Sequence, residues 1–292
     1  MEDSRKLMRF TKMQGTGNDY IYIDARFLDA DWPSLSKAMA DRHFGVGSDG
    51  IILILPSDSA DLKMRMFNAD GSEGEMCGNG IRCFAKYAIE QEICGKSNVA
   101  ITVETLGGIR TVVPRMLNNN VIGAQVAMGL PRLRPEEVPA NVDITLGERI
   151  RNAIVNYPIE VGHVPLKLSF ISMGNPHAVA FIDSPVEQFP LHEIGPQIEH
   201  NPMFPKRMNF EIVNVIGQGH LQARVWERGS GETLACGSGA SAIAVVAYLL
   251  GIAEHEVDIS LPGGTLKVTW DGVGEVYLEG DAVKVFDGEW RY

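Results

Sequence analysis

At 292 residues, with 45% hydrophobic and 22% charged side chains, the sequence has the bulk and balance of a globular protein of one large or two medium domains. A formal charge of −11 argues against nucleic acid or an anionic membrane as the main partner, although a local site for a small zwitterion can still oppose the global sign. Residues 1–10 contain neither an apolar signal core nor an arginine-rich amphipathic stretch, and the most apolar run, residues 240–253, falls short of the roughly 20 needed to span a bilayer; a cytoplasmic protein is expected.

In chain order, a β-rich strand over residues 62–67 leads into a Gly-rich turn and then a helix over residues 79–91. The polar residues Arg82, Lys86 and Glu90 of that helix recur at i, i+4 and i+8, which predicts a single exposed stripe. A hairpin follows, with strands at 99–104 and 109–113 around Leu106-Gly107-Gly108. The same order then returns. A strand over 221–226 precedes a helix over 238–250 and a hairpin of 257–261 and 265–270 around Pro262-Gly263-Gly264. The second helix is apolar on nearly every face, so it must be surrounded by protein.

The return is also literal. Leu62, Arg65, Phe67, Asn68, Glu73 and Cys77 match Leu221, Arg224, Trp226, Glu227, Glu232 and Cys236, each 159 positions on. Gly17-Asn18 and Gly174-Asn175 stand 157 apart, and Gly107-Gly108 and Gly263-Gly264 stand 156 apart. Matches in one order with so little drift indicate an internal duplication, at a period far too long for a solenoid. The predicted fold class is α+β: two pseudo-symmetric domains, each a β-barrel-like shell around a central helix. The expected N-terminal domain is 1–129 plus 281–292, carrying Cys77, and the expected C-terminal domain is 130–280, carrying Cys236.

The four cysteines, Cys77, Cys83, Cys94 and Cys236, form no CxxC pair, and the seven histidines are scattered, so neither a disulfide framework nor a zinc site is expected. Cys83 and Cys94 read as small buried hydrophobes. Cys77 and Cys236 are different: each directly precedes a Gly-x-Gly at the start of a helix. Free backbone N–H groups and the positive end of the helix dipole gather there, which should lower a thiol pKa from about 8.5. The amides of Gly78, Asn79, Gly237 and Ser238 can also receive a carboxylate. Two such thiols facing one carbon from opposite sides could invert a stereocentre, one removing a proton and the other returning one. That chemistry needs no metal, nucleotide or pyridoxal cofactor, and no cofactor is expected. A protein that merely binds an amino acid could share these features; it would not exchange the α-proton in deuterated water.

The segments 68–73 (Asn-Ala-Asp-Gly-Ser-Glu) and 76–83 (Met-Cys-Gly-Asn-Gly-Ile-Arg-Cys) resemble the first signature of the diaminopimelate epimerase family. Glu227-Arg228-Gly229-Ser230-Gly231-Glu232-Thr233, running into Cys236-Gly237-Ser238-Gly239, resembles the second. Residues 12–19, 173–177 and 204–209 are similar to other family segments in the right order, so the resemblance covers essentially the whole chain. It implies interconversion of LL- and meso-2,6-diaminopimelate for lysine and peptidoglycan precursors, with Cys77 and Cys236 as the acid–base pair. By the same resemblance Gly78, Asn79, Gly237 and Ser238 hold the reacting carboxylate. Asn18, Asn68, Asn175, Asn209, Glu227 and Arg228 contact substrate, with Arg228 suited to a bidentate pair with the distal carboxylate. His177 and Glu227 tune the thiols, and a homodimer is implied. Epimerases of proline, hydroxyproline or histidine share the scaffold; Asn79 and the Glu227-Arg228 pair point away from the proline type. One position departs: some relatives carry a glutamine after the Gly-x-Asp of the early loop, where Gly47-Ser48-Asp49 is followed here by Gly50.

Overall fold

The computed structural model describes residues 7–94 and 100–291. The chain divides into two compact units: one built from the described residues up to Ala127 together with those from Glu279 onward, the other spanning Met128–Leu278.

In the first unit, β1 (Leu7–Gly15) and β2 (Asn18–Asp24) form an antiparallel pair. Helix α1 (Trp32–Ala40) then returns the chain so that β3 (Gly50–Leu55) runs parallel to β2. Next come β4 (Leu62–Asn68), antiparallel to β3, and the two-residue β5 (Glu73–Gly74) folded back on it. Helix α2 (Gly78–Glu90) follows, then β6 (Ile101–Thr105), β7 (Gly108–Leu117) and β8 (Asn120–Gly129), with β6 parallel to β4.

The second unit opens with the small pair β9 (Glu148–Ile150) and β10 (Ala153–Val155) and the strand β11 (Tyr157–Val161). It then repeats the first. Strands β12 (Val164–Ser172) and β13 (Pro176–Phe181) are antiparallel, α3 (Leu191–Glu199) returns the chain, and β14 (Asn209–Gly217) runs parallel to β13. The pair β15 (His220–Glu227) and β16 (Gly231–Thr233), helix α4 (Gly237–Leu249), and the hairpin β17 (Glu256–Leu261) and β18 (Gly264–Thr269) complete the copy. After β19 (Val276–Asp281), the last strand, β20 (Val283–Arg291), pairs with β1.

The duplication extends to strand register. Phe67 opposes Glu73 and Trp226 opposes Glu232; Ile52 opposes Met66 and Glu211 opposes Val225. The matched Arg–Glu residues are clamps across these short returns. Arg65 holds Glu73 through two bonds of 2.6 and 3.0 Å, and Arg224 holds Glu232 through two of 2.7 and 2.9 Å. Bidentate geometry gives such pairs direction as well as attraction.

Each unit has its own core. Trp32, Leu35 and Met39 of α1 pack on Ile51, Leu53 and Phe67, while Leu191, Ile194 and Ile198 of α3 pack among Phe189, Phe204 and Phe210. Helix α4 is buried at every residue except Ser238 and Tyr248, as its all-round apolar sequence requires. Both principal helices begin one residue earlier than the sequence pattern indicated. The first residue of the first expected hairpin, Val99, lies outside the described residues.

The expected exposed stripe on α2 is a correction. Glu90 is exposed and Lys86 half-buried, but Arg82 is 0% exposed. Its guanidinium is enclosed because it donates to four oxygens: Asn79 Oδ1 at 2.8 Å, Thr16 Oγ1 at 2.8 Å, the Gly78 carbonyl at 3.2 Å and the Asp281 carbonyl at 3.3 Å. Periodicity places Arg82 on the polar face, and the β1–β2 turn and the segment before β20 then cover that face.

Gly50 also has a structural cause. It opens β3 with φ of 152°, and a Cβ there would lie 2.0 Å from the Phe67 carbonyl oxygen. No glutamine fits without prising β3 from β4. Gly50→Gln is therefore expected to lower folding stability by about 3 kcal/mol, measured by urea unfolding; an unchanged midpoint would show that the strand accommodates a side chain.

Candidate active-site segments

Cys77 is the N-cap residue of α2. Its backbone is extended (φ −123°, ψ 118°), and its sulfur accepts from the Gly80 amide at 3.3 Å. Glycine is needed at 80, because a Cβ would meet Ile52 Cδ1 at 2.8 Å. The first-turn amides of Gly78 and Asn79 follow the cysteine, and no acid lies in that turn to compete with an anion. Asn79 is buried and fixed on both sides: Arg82 donates to its Oδ1, and its Nδ2 donates to Asn18 Oδ1 at 2.5 Å. Asn18 Nδ2 donates in turn to Asp49 Oδ2 at 3.4 Å.

Asp49 and Asp19 form a second layer behind Asn18, both bonded by Arg42, with Lys12 on Asp19 at 2.6 Å. Burial, reinforced by the charge of Asp19, raises the Asp49 pKa. Burial acts the same way on Asp19, but the bonds from Arg42 and Lys12 outweigh it and hold that carboxyl below its usual value. Asn68, at the end of β4, donates to Ser72 Oγ at 3.0 Å and closes the turn that precedes the cysteine. Cys83 is buried in α2 with its thiol pushed up to about 11, and burial also raises Cys94; both therefore remain protonated near neutrality.

The second unit builds the same cap. Cys236 (φ −129°, ψ 114°) caps α4, and its sulfur accepts from the Gly239 amide at 3.3 Å and lies 3.4 Å from Ser238 Oγ. Asn175 Nδ2 donates to Ser238 Oγ at 3.2 Å, and Asn175 Oδ1 lies 3.0 Å from His177 Nε2. His177 is fully buried, with Nδ1 2.6 Å from Oε1 of an equally buried Glu211. Glu227 accepts from Thr233 Oγ1 at 2.6 Å and hydrogen-bonds Cys236. Asn209 bridges chain segments, donating to the Pro176 carbonyl at 2.8 Å and accepting from the Arg228 amide at 2.9 Å. The Arg228 side chain is exposed and touches the Lys206 carbonyl at 3.1 Å, leaving most of its donors available.

A second correction concerns the thiol. The helix start was expected to lower its pKa, yet the Cys236 thiol is raised well above its ordinary range. Burial is the largest cause, followed by the negative charges of Glu227 and Glu211; the Ser238 and Gly239 donors oppose them and do not win. Glu227 is itself raised by burial, partly offset by its bonds to Thr233 and Cys236. Burial and the two carboxyl groups thus favour the protonated form of Cys236.

The predicted residues fall into two sets. The first unit gathers Asn18, Cys77, Gly78 and Asn79, with Asn68 on the approach. The second gathers Asn175, His177, Glu227, Cys236, Gly237 and Ser238, flanked by Asn209 and Arg228. The sequence reading missed Arg82 as an internal donor, and it missed Asp49 and Thr233. It also missed Glu211, for which a signal exists: a lone acid within the otherwise apolar Phe210-Glu211-Ile212-Val213, 159 positions after Ile52.

This architecture is shared with solved structures. A phenazine biosynthesis protein of the PhzF family from Bacillus anthracis superposes with a TM-score of 0.65 at 16% identity, covering 98% of this chain and 99% of that one. A hydroxyproline epimerase from Agrobacterium vitis, with bound trans-4-hydroxy-L-proline, gives 0.66 at 12% identity, covering 98% and 92%. At such identities the likeness is one of fold. Sequence comparison goes further. The diaminopimelate epimerase family model matches residues 10–133 and 169–285. Diaminopimelate epimerases of Acetivibrio thermocellus and Methanococcus maripaludis are 48% and 45% identical, each over 97% of this chain and 98% and 99% of their own lengths. The chain belongs to the diaminopimelate epimerase family.

Proposed function

We propose that this protein is a cofactor-independent, two-base epimerase interconverting LL- and meso-2,6-diaminopimelate. The observation that carries the reading is the pair of N-cap cysteines, each bonded to the amide three residues on and each followed by a first helical turn that holds no acid. One sulfur, as thiolate, takes the α-proton, and the other thiol gives its proton to the opposite face of the flattened carbon. Gly78, Asn79, Gly237 and Ser238 receive the α-carboxylate, where the helix dipoles stabilise charge spreading into it. Asn18, Asn68, Asn175, Asn209, Glu227 and Arg228 bind the rest of the substrate, and His177 and Glu227 set the proton affinity around Cys236.

An epimerase of this kind belongs in the cytoplasm, on the route to lysine and peptidoglycan precursors. A homodimer is consistent with β20, which exposes Val283, Val285 and Phe286 on one strand. The test is proton exchange in deuterated water. Diaminopimelate should lose its α-proton to solvent and invert without added metal, nucleotide or pyridoxal phosphate, and proline and lysine should be slow. Binding of diaminopimelate without α-deuteration would overturn the reading.

A further inference from the structure

The duplication supplies an internal control. Positions equivalent to Asn175, His177, Glu211 and Ser238 are Asn18, Tyr20, Ile52 and Asn79. Both units therefore keep a polar residue at the second helical position and an asparagine in the preceding turn. At the other two positions the second unit has a histidine and a carboxyl group, where the first has a tyrosine and an isoleucine.

Glu211 is poorly explained as a stabilising residue. It is fully buried, and Oε1 meets His177 while Oε2 has no hydrogen-bond partner among the described residues. A carboxyl group buried with one oxygen unmet is costlier than an apolar side chain of similar size. The first unit uses such a side chain, Ile52, under the corresponding glycine. Gly239 makes room for the acid, since a Cβ there would lie 2.8 Å from Glu211 Oε1.

The geometry points to Glu211 as a positioning residue that fixes the direction of a hydrogen-bond chain ending on the Cys236 sulfur. The spacing of 2.6 Å between Oε1 and Nδ1 requires one proton between them, whichever atom it rides on. The amide oxygen of Asn175 can only accept from Nε2, 3.0 Å away, so the His177–Glu211 pair holds two protons, one on Nε2 and one between Nδ1 and Oε1, as a carboxyl group donating to a neutral ring or a carboxylate accepting from an imidazolium. The asparagine must then turn its Nδ2 toward Ser238 Oγ, which accepts. Ser238 is left with its hydroxyl proton for the sulfur, 3.4 Å away. Each donor in the series points the same way.

Without Glu211, the imidazole can carry its proton on Nδ1, the amide can turn over, and Ser238 can spend its proton on Asn175 instead. In the first unit the comparable chain is fixed otherwise, from the Arg82 guanidinium through Asn79 and Asn18 to Asp49. The titratable groups around the Cys236–Glu227 pair are Glu227 on β15, Glu211 on β14 and His177 on β13. The chain opposes the burial of the sulfur by guaranteeing a donor when its proton leaves.

The test uses the full chain with Glu211→Met, which keeps bulk and removes the acceptor, and Glu211→Gln, whose amide N–H can donate to Nδ1 and restore the direction. Glu211→Met should unfold at the same or a higher temperature and lower kcat at least tenfold with little change in KM, while Glu211→Gln recovers most of kcat. Alkylation by iodoacetamide, read for each cysteine by mass spectrometry, should need a pH about one unit higher at Cys236 in Glu211→Met than in Glu211→Gln, both of which lose the carboxylate charge, and be the same in the two at Cys77. Imidazole 15N NMR of the unmodified protein should show a proton on His177 Nε2. The kinetic arm rests on the epimerase reading, but the NMR and alkylation arms need no substrate, so the two can fail separately. An unprotonated Nε2 overturns the proposal even if the methionine variant does not fold. So does a folded methionine variant whose Cys236 profile matches that of the glutamine variant, or one that is strongly destabilised yet retains kcat.

Discussion

Replacing either cysteine by serine, Cys77→Ser or Cys236→Ser, is expected to lower kcat for epimerisation by about 10³-fold or more, within the range associated with an acid–base group in proton transfer. Serine keeps the size and N-cap ability of cysteine but is a far weaker base near neutrality, so the loss should be chemical rather than structural. The scheme makes a sharper demand as well. Elimination of a halide from a β-halogenated diaminopimelate needs only one base, so each variant should retain it with one configuration at the α-carbon. Epimerisation is measured by circular dichroism or by coupling to a stereospecific enzyme, and elimination by halide release. A single variant with a tenth of native epimerisation would sink the two-base scheme.

The second large effect concerns Arg82. Removing it with Arg82→Met strips the donor from Asn79 Oδ1, Thr16 Oγ1 and the carbonyls of Gly78 and Asp281 at once. Leaving several buried acceptors unmet is expected to cost about 3–5 kcal/mol of folding stability. Arg82→Lys should recover only part of it, because an ammonium cannot reproduce the planar fork. Urea unfolding of the three proteins measures this, and a methionine variant within about 1 kcal/mol of native would mean that water or rearrangement replaces the guanidinium. Activity of the lysine variant should fall further than its stability does, since Asn79 loses one of its two anchors.

These residues show what the sequence discloses and what it hides. Local rules made the helices, the hairpins and the caps legible: glycines mark the tight starts, and an apolar helix announces its own burial. The repeat supplied the two-unit plan, because matched residues at a fixed offset imply matched elements. Helices α1 and α3 and the two- and three-residue returns β5 and β16 did not emerge, since stretches so short carry little periodic signal. Arg82 was misread because a helical stripe says which side chains share a face, not what later covers it. The Cys236 thiol was misjudged for a related reason. The helix dipole is local and readable, whereas burial and the approach of Glu227 and Glu211 depend on strands brought together by the fold. Glu211 shows how the repeat can be used in reverse: where two copies differ at an otherwise apolar position, the odd residue is the one to explain.

The pairing of β20 with β1 bears on how the chain is made. Eight residues from Leu7 to Gln14 find their partners between Val283 and Arg291, so β1 gains this neighbour only from residues that follow the whole of the second unit. Residues 128–278 form a compact unit from one continuous stretch of chain. As the polypeptide leaves the ribosome, the unit begun second is the one that can be finished first, and the earlier half must wait, with β1 unpaired along one side, until residues 283–291 have emerged.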